Sequence, residues 1–204
     1  MDQITPDEAL ERLQDGNRRF VADHSPNGDT SRERRLEVAR SQEPFAALVG
    51  CSDSRVGPEL LFGVGLGDLF IVRSAAGNLD SHGLGSIEFA VMQLNVPLVV
   101  VLGHERCGAI EVAVDAIASD LEFPGSMGTV IESIIPAVLH AQRGLAPDGD
   151  LVDAAVHENV RRIVRRMRTA AEPILLEPQR TGRLTIVGAY YALDTGVVDF
   201  FDVP

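Results

Sequence analysis

The stretch Val96-Pro97-Leu98-Val99-Val100-Val101-Leu102 is apolar throughout and runs directly into Gly103 and His104. Three further apolar runs of strand length lie at residues 45–50, 69–72 and 184–188. Unbroken apolar runs are typical of strands that are buried on both faces, as in a parallel sheet covered by helices. We therefore expect these four runs to form the core of a mainly parallel sheet.

Helical patterns separate the apolar runs, and their alternation with strands predicts βαβ units. The predicted helices lie at residues 58–62, 84–94, 107–118, 130–141 and 151–171. Pro136 should kink or interrupt the fourth of them, because proline removes a backbone donor. Residues 190–193, 194–196 and 197–201 read as strand, tight turn and strand, which predicts an antiparallel edge. The predicted fold class is α/β, a four-stranded, mainly parallel sheet with an antiparallel edge strand and helices on both faces.

The N-terminal region differs from the rest of the chain. Thr5-Pro6-Asp7-Glu8 has the form of a capping box with proline at the first helical position, and Leu10 and Leu13 follow at helical spacing. A polar loop and a short charged helix near residues 32–40 come next. We expect one domain over residues 1–204, in which residues 1–43 form an N-terminal helical arm.

Composition excludes several classes of function. The chain has 204 residues, which suits one ordinary domain, and its net charge of −12 should repel nucleic acid and anionic lipid. All 18 basic residues are arginine, so chemistry that needs a lysine is excluded. No apolar run approaches the roughly 18 residues of a membrane span, and no secretory signal is visible. We expect a cytoplasmic protein without nucleic-acid or membrane partners.

Three residues suggest a metal centre. Cys51 directly follows one predicted strand, and His104 follows another, at the sheet edge where α/β proteins build ligand sites. Cys107 lies three residues after His104 at a helix start, where the helix dipole favours a thiolate. Two cysteines and one histidine form the ligand set of a catalytic zinc that keeps one open position. Taken singly, either cysteine would be a small buried apolar residue and His104 a hydrogen-bonded core histidine.

Asp53 and Arg55 follow Cys51 at alternate positions. Alternate residues of an extended segment project to the same side, so this carboxylate and this guanidinium can pair beside the metal. The alternative is a loop ion pair or helix cap that serves stability only.

Four motifs resemble, in order and spacing, those of a β-class carbonic anhydrase. They are Cys51-Ser-Asp-Ser-Arg-Val56, Gly67-Asp-Leu-Phe70 with Arg73, Gly85-Ser-Ile-Glu-Phe-Ala90 and Gly103-His-Glu-Arg-Cys-Gly-Ala109. The resemblance covers residues 45–110 most strongly. It implies zinc bound by Cys51, His104 and Cys107, with Asp53 and Arg55 as the adjacent catalytic dyad. It also implies a dimer in which the N-terminal helix lies across the partner.

These features together predict a zinc enzyme that hydrates carbon dioxide reversibly to bicarbonate and a proton, with the nucleophile generated at the metal. We expect a homodimer or a dimer of dimers. In a closed form, Asp53 could leave Arg55 and become a fourth zinc ligand. Two alternatives stay open: a carbonyl sulfide or carbon disulfide hydrolase that uses the same site, and a zinc-stabilised regulatory module without turnover.

Overall fold

The computed structural model describes residues 4–24, 28–169 and 173–204. The strands are β1 (Ala46–Cys51), β2 (Leu69–Ser74), β3 (Leu98–His104), β4 (Thr185–Tyr191) and β5 (Val198–Asp202). The helices are α1 (Pro6–Val21), α2 (Arg32–Val38), α3 (Pro58–Leu61), α4 (Ser81–Gln93), α5 (Gly108–Ser119), α6 (Gly125–Gly144), α7 (Leu151–Arg168) and α8 (Pro173–Arg180). A one-turn 3₁₀ helix, Ala75–Gly77, connects β2 to α4.

The sheet has the strand order β2-β1-β3-β4-β5. The first four strands are parallel, and β5 pairs antiparallel with β4. Every residue of β1 is buried, as expected for a strand covered on both faces. The expectation is wrong for the run at residues 69–72, because β2 lies at the edge of the sheet and is only partly buried. The predicted α/β class with an antiparallel edge strand is therefore confirmed.

Alternate residues of the central strands enter two different cores. On one face, Leu48 and Val100 pack with Leu13 of α1 and Phe62, which follows α3. On the other face, Val49 and its neighbours pack against α4, α7 and α8. Helices α5 and α6 pack with α7 in a third cluster that contains Cys51 and Cys107. The third cluster places the candidate metal ligands between the sheet edge and a helical layer.

The structure differs from the predicted elements in several details. Helix α6 continues from Gly125 to Gly144 through Pro136, because Ile134 and Val138 on either side of the proline are buried and hold the helix by packing. The predicted strands 184–188 and 190–193 form the single strand β4, with an irregular register opposite β5. Helix α7 ends at Arg168, with Thr169 as its C-cap. Its predicted end at Ala171 lies outside the described residues, and α8 was not predicted.

Helix α1 begins with the predicted capping box and packs against the sheet of its own chain. Ala9 and Leu13 are fully buried there, and Asn17 donates to Gly196 O at 2.9 Å and accepts from the Val198 N–H at 2.8 Å. This helix therefore contributes to the core. Within the described ranges, no helix combines the length and apolar character needed to cross a membrane.

Candidate metal centre and active site

Two neighbouring strand ends and one helix start bring the predicted ligands together. Cys51 is the last residue of β1 and His104 the last of β3, and these strands pair in parallel. Cys107 precedes the first turn of α5. Because carboxyl ends of parallel strands meet at one edge, residues 51 and 104 become neighbours despite their separation in sequence.

The three candidate ligand atoms lie within 4.8 Å of one another. The two sulfur atoms are 4.0 Å apart, and both cysteines are free thiols. Exposure of Cys51, His104 and Cys107 is only 7%, 1% and 2%, so the cluster is shielded from bulk water. This spacing suits three donors around one ion, and it is too wide for a disulfide bond.

The His104 ring is oriented to present one nitrogen to the cluster. Its Nδ1 lies 2.9 Å from the carbonyl oxygen of Glu105, and because a carbonyl only accepts, Nδ1 carries the proton. Nε2 is consequently a free lone pair. It is one of two buried side-chain polar atoms without a hydrogen-bond partner among the described residues. A metal ion satisfies this nitrogen, since burial without a partner is costly.

Contacts with neighbouring groups favour ionisation at one of the two sulfur atoms. The contact with Cys107 lowers the pKa of Cys51, and the Asp53 N–H lowers it further against the effect of burial. The same sulfur contact raises the pKa of Cys107, so the pair retains one proton while the other is lost. Thiolate and imidazole donors select zinc over magnesium or calcium. The donor set therefore fits Zn²⁺.

Asp53 and Arg55 form a bidentate ion pair beside the ligand atoms. Arg55 Nε and Nη2 donate to the two Asp53 carboxylate oxygens at 3.0 and 2.7 Å. These bonds hold the pKa of Asp53 well below its ordinary value, so the carboxyl group stays ionised. Asp53 Oδ2 lies 3.8 Å from His104 Nε2, which places the carboxylate at the rim of the cluster.

Arg73 holds the loop that carries this pair, a contribution that the motif alone did not reveal. Its Nε donates to Cys51 O at 2.9 Å, and its Nη2 donates to Asp53 O and Val56 O, both at 2.8 Å. The register of β1 with β2 places Arg73 opposite Gly50, directly beside the loop. An arginine at the end of an edge strand was the available signal, but its acceptors are visible only in the folded chain.

The hairpin between β4 and β5 supports the second ligand-bearing loop, which lies between β3 and α5 and carries Cys107. Arg106 has a positive φ of 50°, and its carbonyl accepts from Arg55 Nη2 at 2.9 Å. Its side chain pairs with Asp194 of the hairpin at 2.5 Å, and the Leu193 N–H donates to Glu105 at 2.8 Å. Arg55 therefore connects the two ligand-bearing loops.

A narrow cavity of about 10 Å³ lies beside the ligands, between the sheet and α7. Its walls include the side chains of Val156 and Val160 and, from the 3₁₀ helix, Ala76. Asn159 supplies a polar group to the same wall, and neither Asn159 nor Ala76 was singled out from the sequence.

Comparison with known proteins identifies similar sequences over nearly the whole chain. The family model described as carbonic anhydrase matches residues 46–198. Carbonic anhydrase 2 of Mycobacterium tuberculosis is 42% identical over 96% of this chain and 93% of its own length. The carbonic anhydrase of Mycolicibacterium smegmatis is 37% identical over 98% of this chain and 95% of its own length.

Solved structures share the fold at lower identity. One of two tetrameric β-carbonic anhydrases of Sordaria macrospora has a TM-score of 0.72 and 23% identity, covering 81% of this chain and 84% of its own. A Coccomyxa β-carbonic anhydrase in complex with acetazolamide has a TM-score of 0.69 and 24% identity, covering 94% and 86%. The likeness to these two structures concerns the fold.

Proposed function

The chain belongs to the β-class carbonic anhydrases, and on that premise we propose how its residues bring about the reversible hydration of carbon dioxide to bicarbonate and a proton. Enzymes of this family use zinc. We assign its ligands as Cys51, His104 and Cys107, with Asp53 and Arg55 as the catalytic dyad. The observation that carries the assignment is the buried convergence of two sulfurs and an unpartnered imidazole nitrogen within 4.8 Å.

Zinc held by these residues would supply Lewis-acid activation of water, the nucleophile for the carbon of carbon dioxide. The chain's own residues prepare the site for this chemistry. The Glu105 carbonyl fixes the His104 ring with Nε2 free, and the first turn of α5 favours negative charge at Cys107. Three protein ligands leave one coordination position open for the reactants.

Asp53 acts as a hydrogen-bond acceptor for the nucleophile. Because Arg55 keeps it ionised, its carboxylate only accepts, and it orients the nucleophile's remaining lone pair toward the substrate carbon. Arg55 fixes the direction of the carboxylate through two parallel bonds. If the hydrogen bonds between Arg55 and Asp53 break, the Asp53 carboxylate could turn inward and serve as the fourth metal ligand of a closed form.

Metal content and turnover test the ligand assignment together. Purified protein should contain one zinc per chain and hydrate carbon dioxide in a stopped-flow assay with a pH indicator. Pyridine-2,6-dicarboxylate should abolish turnover, and added zinc should restore it. His104→Ala and Cys107→Ser should lose zinc and activity. His140→Ala, which removes an exposed histidine of α6, is the matched control and should keep both.

Two outcomes would overturn this proposal. Full zinc occupancy in Cys107→Ser would show that the ligands lie elsewhere. A zinc-loaded wild-type protein without turnover would favour the regulatory module over the enzyme. Parallel assays with carbonyl sulfide and carbon disulfide separate the remaining alternative, because a dedicated hydrolase would turn these substrates over faster than carbon dioxide.

We also propose that residues 1–204 form one domain with residues 1–43 as its arm, and that the chain assembles as a homodimer or a dimer of dimers. The Sordaria macrospora proteins are tetrameric, which supports assembly here. Light scattering gives the assembly mass directly. Removal of the residues before Ser41 should uncover the apolar surface under Ala9 and Leu13 and lower solubility; a soluble, unchanged assembly would refute the role of the arm.

A cytoplasmic location belongs to the same proposal. Cys51 and Cys107 are free thiols, and ligand thiolates persist best in a reducing compartment. Cell fractionation with an antibody to the protein tests this location.

A further inference from the structure

Ala76 has a backbone conformation that is unusual for a residue with a side chain. In the 3₁₀ helix Ala75–Gly77 its φ and ψ are 55° and 17°, which is the left-handed region. A Cβ atom crowds the following carbonyl there, so this conformation is strained for alanine and persists only where the surroundings impose it. Strain of this kind is concentrated at functional sites.

Asn159 of α7 supplies a contact that imposes this conformation. Its Nδ2 donates to the carbonyl oxygen of Ala76 at 3.0 Å, across 83 positions of sequence. Asn159 is only 8% exposed, so little water competes for the bond. The amide of Asn159 therefore holds the carbonyl group of the strained residue through a buried hydrogen bond.

The same 3₁₀ helix touches the strand that carries the first ligand. A Cβ at Gly77 would lie 3.5 Å from the carbonyl carbon of Gly50, the residue before Cys51. The Ser52 N–H, just after Cys51, donates to Ser74 O at 2.9 Å. Any shift of residues 74–77 would therefore also displace the end of β1.

Ala76 and Asn159 both line the small cavity of about 10 Å³ that Cys51, His104 and Cys107 share. We propose that Asn159 is a positioning residue for the metal centre, acting through its hydrogen bond to the strained Ala76 carbonyl. This inference rests on the ligand assignment proposed above. Asn159 fixes the 3₁₀ helix, and the 3₁₀ helix fixes the Cys51 end of β1 and one wall of the cavity.

A purely structural role makes a different prediction. If Asn159 only satisfies a buried carbonyl, its loss should destabilise the fold without touching the metal site. Asn17 provides the matched control, since it is also a buried asparagine, 5% exposed, that bonds backbone groups between α1 and the body of the chain. Asn17→Ala should lower the thermal midpoint and leave the zinc release rate unchanged.

The experiment measures zinc release from the holoenzyme to the chromogenic chelator 4-(2-pyridylazo)resorcinol, together with kcat and KM for carbon dioxide. Loss of a residue behind a metal ligand typically costs about 10-fold to 100-fold in metal affinity or activity. We expect Asn159→Ala to release zinc about 10-fold faster. It should lower kcat more than it raises KM, because the substitution alters the geometry of the metal centre more than the entry of the substrate.

A double-mutant cycle then tests the strain itself. Glycine adopts the left-handed conformation without a Cβ clash, so in an Ala76→Gly background the 3₁₀ helix needs the Asn159 contact less. The effect of Asn159→Ala on zinc release should shrink to about twofold in that background. Asn159→Ser, whose hydroxyl is shorter than the amide, replaces the alanine variant if the latter fails to fold.

Three results would overturn the inference. The first is wild-type zinc release and kcat in Asn159→Ala or Asn159→Ser. The second is an equal acceleration of zinc release by Asn17→Ala. The third is an undiminished effect of Asn159→Ala in the Ala76→Gly background. Failure of the proposed function is distinguishable, because the wild-type protein itself would then lack zinc or turnover.

Discussion

Replacing Arg55 with alanine removes the guanidinium that holds Asp53 and connects the two ligand-bearing loops. The substitution deletes two bonds to the carboxylate, at 3.0 and 2.7 Å, and one to the Arg106 carbonyl, at 2.9 Å. Asp53 keeps its bond from the Arg55 backbone N–H at 2.9 Å, so the carboxylate is loosened and still anchored at one oxygen. The expected consequence is a misdirected carboxylate in a folded protein.

The structure separates the effect on stability from the effect on turnover. The Arg55 side chain is 49% exposed, so solvent screens the ion pair and its loss should lower the unfolding free energy only slightly. A misplacement of about 1 Å at a reacting centre can cost about 100-fold in rate. A 100-fold loss of kcat corresponds to about 2.7 kcal/mol of activation free energy, which is well above the expected loss of unfolding free energy.

Stopped-flow hydration, zinc analysis and urea unfolding of the same preparation measure the three quantities. Arg55→Lys is the matched control: it keeps the positive charge and loses the planar fork, so its kcat should fall between those of wild type and Arg55→Ala. X-ray absorption at the zinc edge should report an added oxygen ligand in Arg55→Ala if Asp53 turns inward. Near-native turnover of a zinc-loaded Arg55→Ala protein would refute the catalytic dyad and leave a structural ion pair.

Three further predictions concern the fold. Burial raises the pKa of Tyr190 and of Tyr191, and a hydrogen bond to Asp153 raises that of Tyr190 further. The chain has no other tyrosine and no tryptophan. Ultraviolet titration should therefore show tyrosinate forming at a higher pH in the folded protein than the ordinary value of about 10. The stability from the neutral hydroxyls, complete below about pH 10, should be lost as pH rises through the folded-state pKa values. Gly16→Ala would place a Cβ 1.9 Å from the Phe62 carbonyl oxygen and should lower the unfolding free energy by about 2 to 3 kcal/mol in urea melts. Thr5→Ala removes the helix cap and should cost about 1 kcal/mol in the same assay.

Each of these predictions has a contrary result. Tyrosinate absorbance near pH 10 without loss of near-ultraviolet dichroism would show that the hydroxyls are not shielded. A urea midpoint of Gly16→Ala equal to that of wild type would show that α1 does not approach residue 62 so closely. An unchanged Thr5→Ala midpoint would show that the first turn of α1 contributes no stability.

Some features of the sheet and the ligand set follow from short segments of sequence. Apolar runs predicted the four parallel strands, and β1, β3 and β4 are largely buried, since a strand covered on both faces has no polar side; β2, at the sheet edge, is only partly buried. The positions of Cys51 and His104 directly after two such runs predicted their meeting at one edge, as the structure shows. The capping box of α1 was equally readable, because its bonds join Thr5 and Glu8 within one turn.

Other features depend on packing. Proline at position 136 is unfavourable in a helix on local grounds, yet burial of its neighbours outweighs the local cost. The presence of α8 and the fusion of two short runs into β4 likewise depend on what each segment packs against. Local patterns contain no information about these partners, so the sequence predicted the wrong boundaries.

By itself, the sequence determined which side chains could bind zinc and at which edge of the sheet they gather, because strand burial and alternation are local properties. Only the tertiary structure decided that His104 presents Nε2, that Arg73 binds three carbonyl groups and that Asn159 holds Ala76. These contacts depend on distances between segments far apart in the chain. Such distances are set by the packing of the sheet and α7 as a whole, and no local pattern records them.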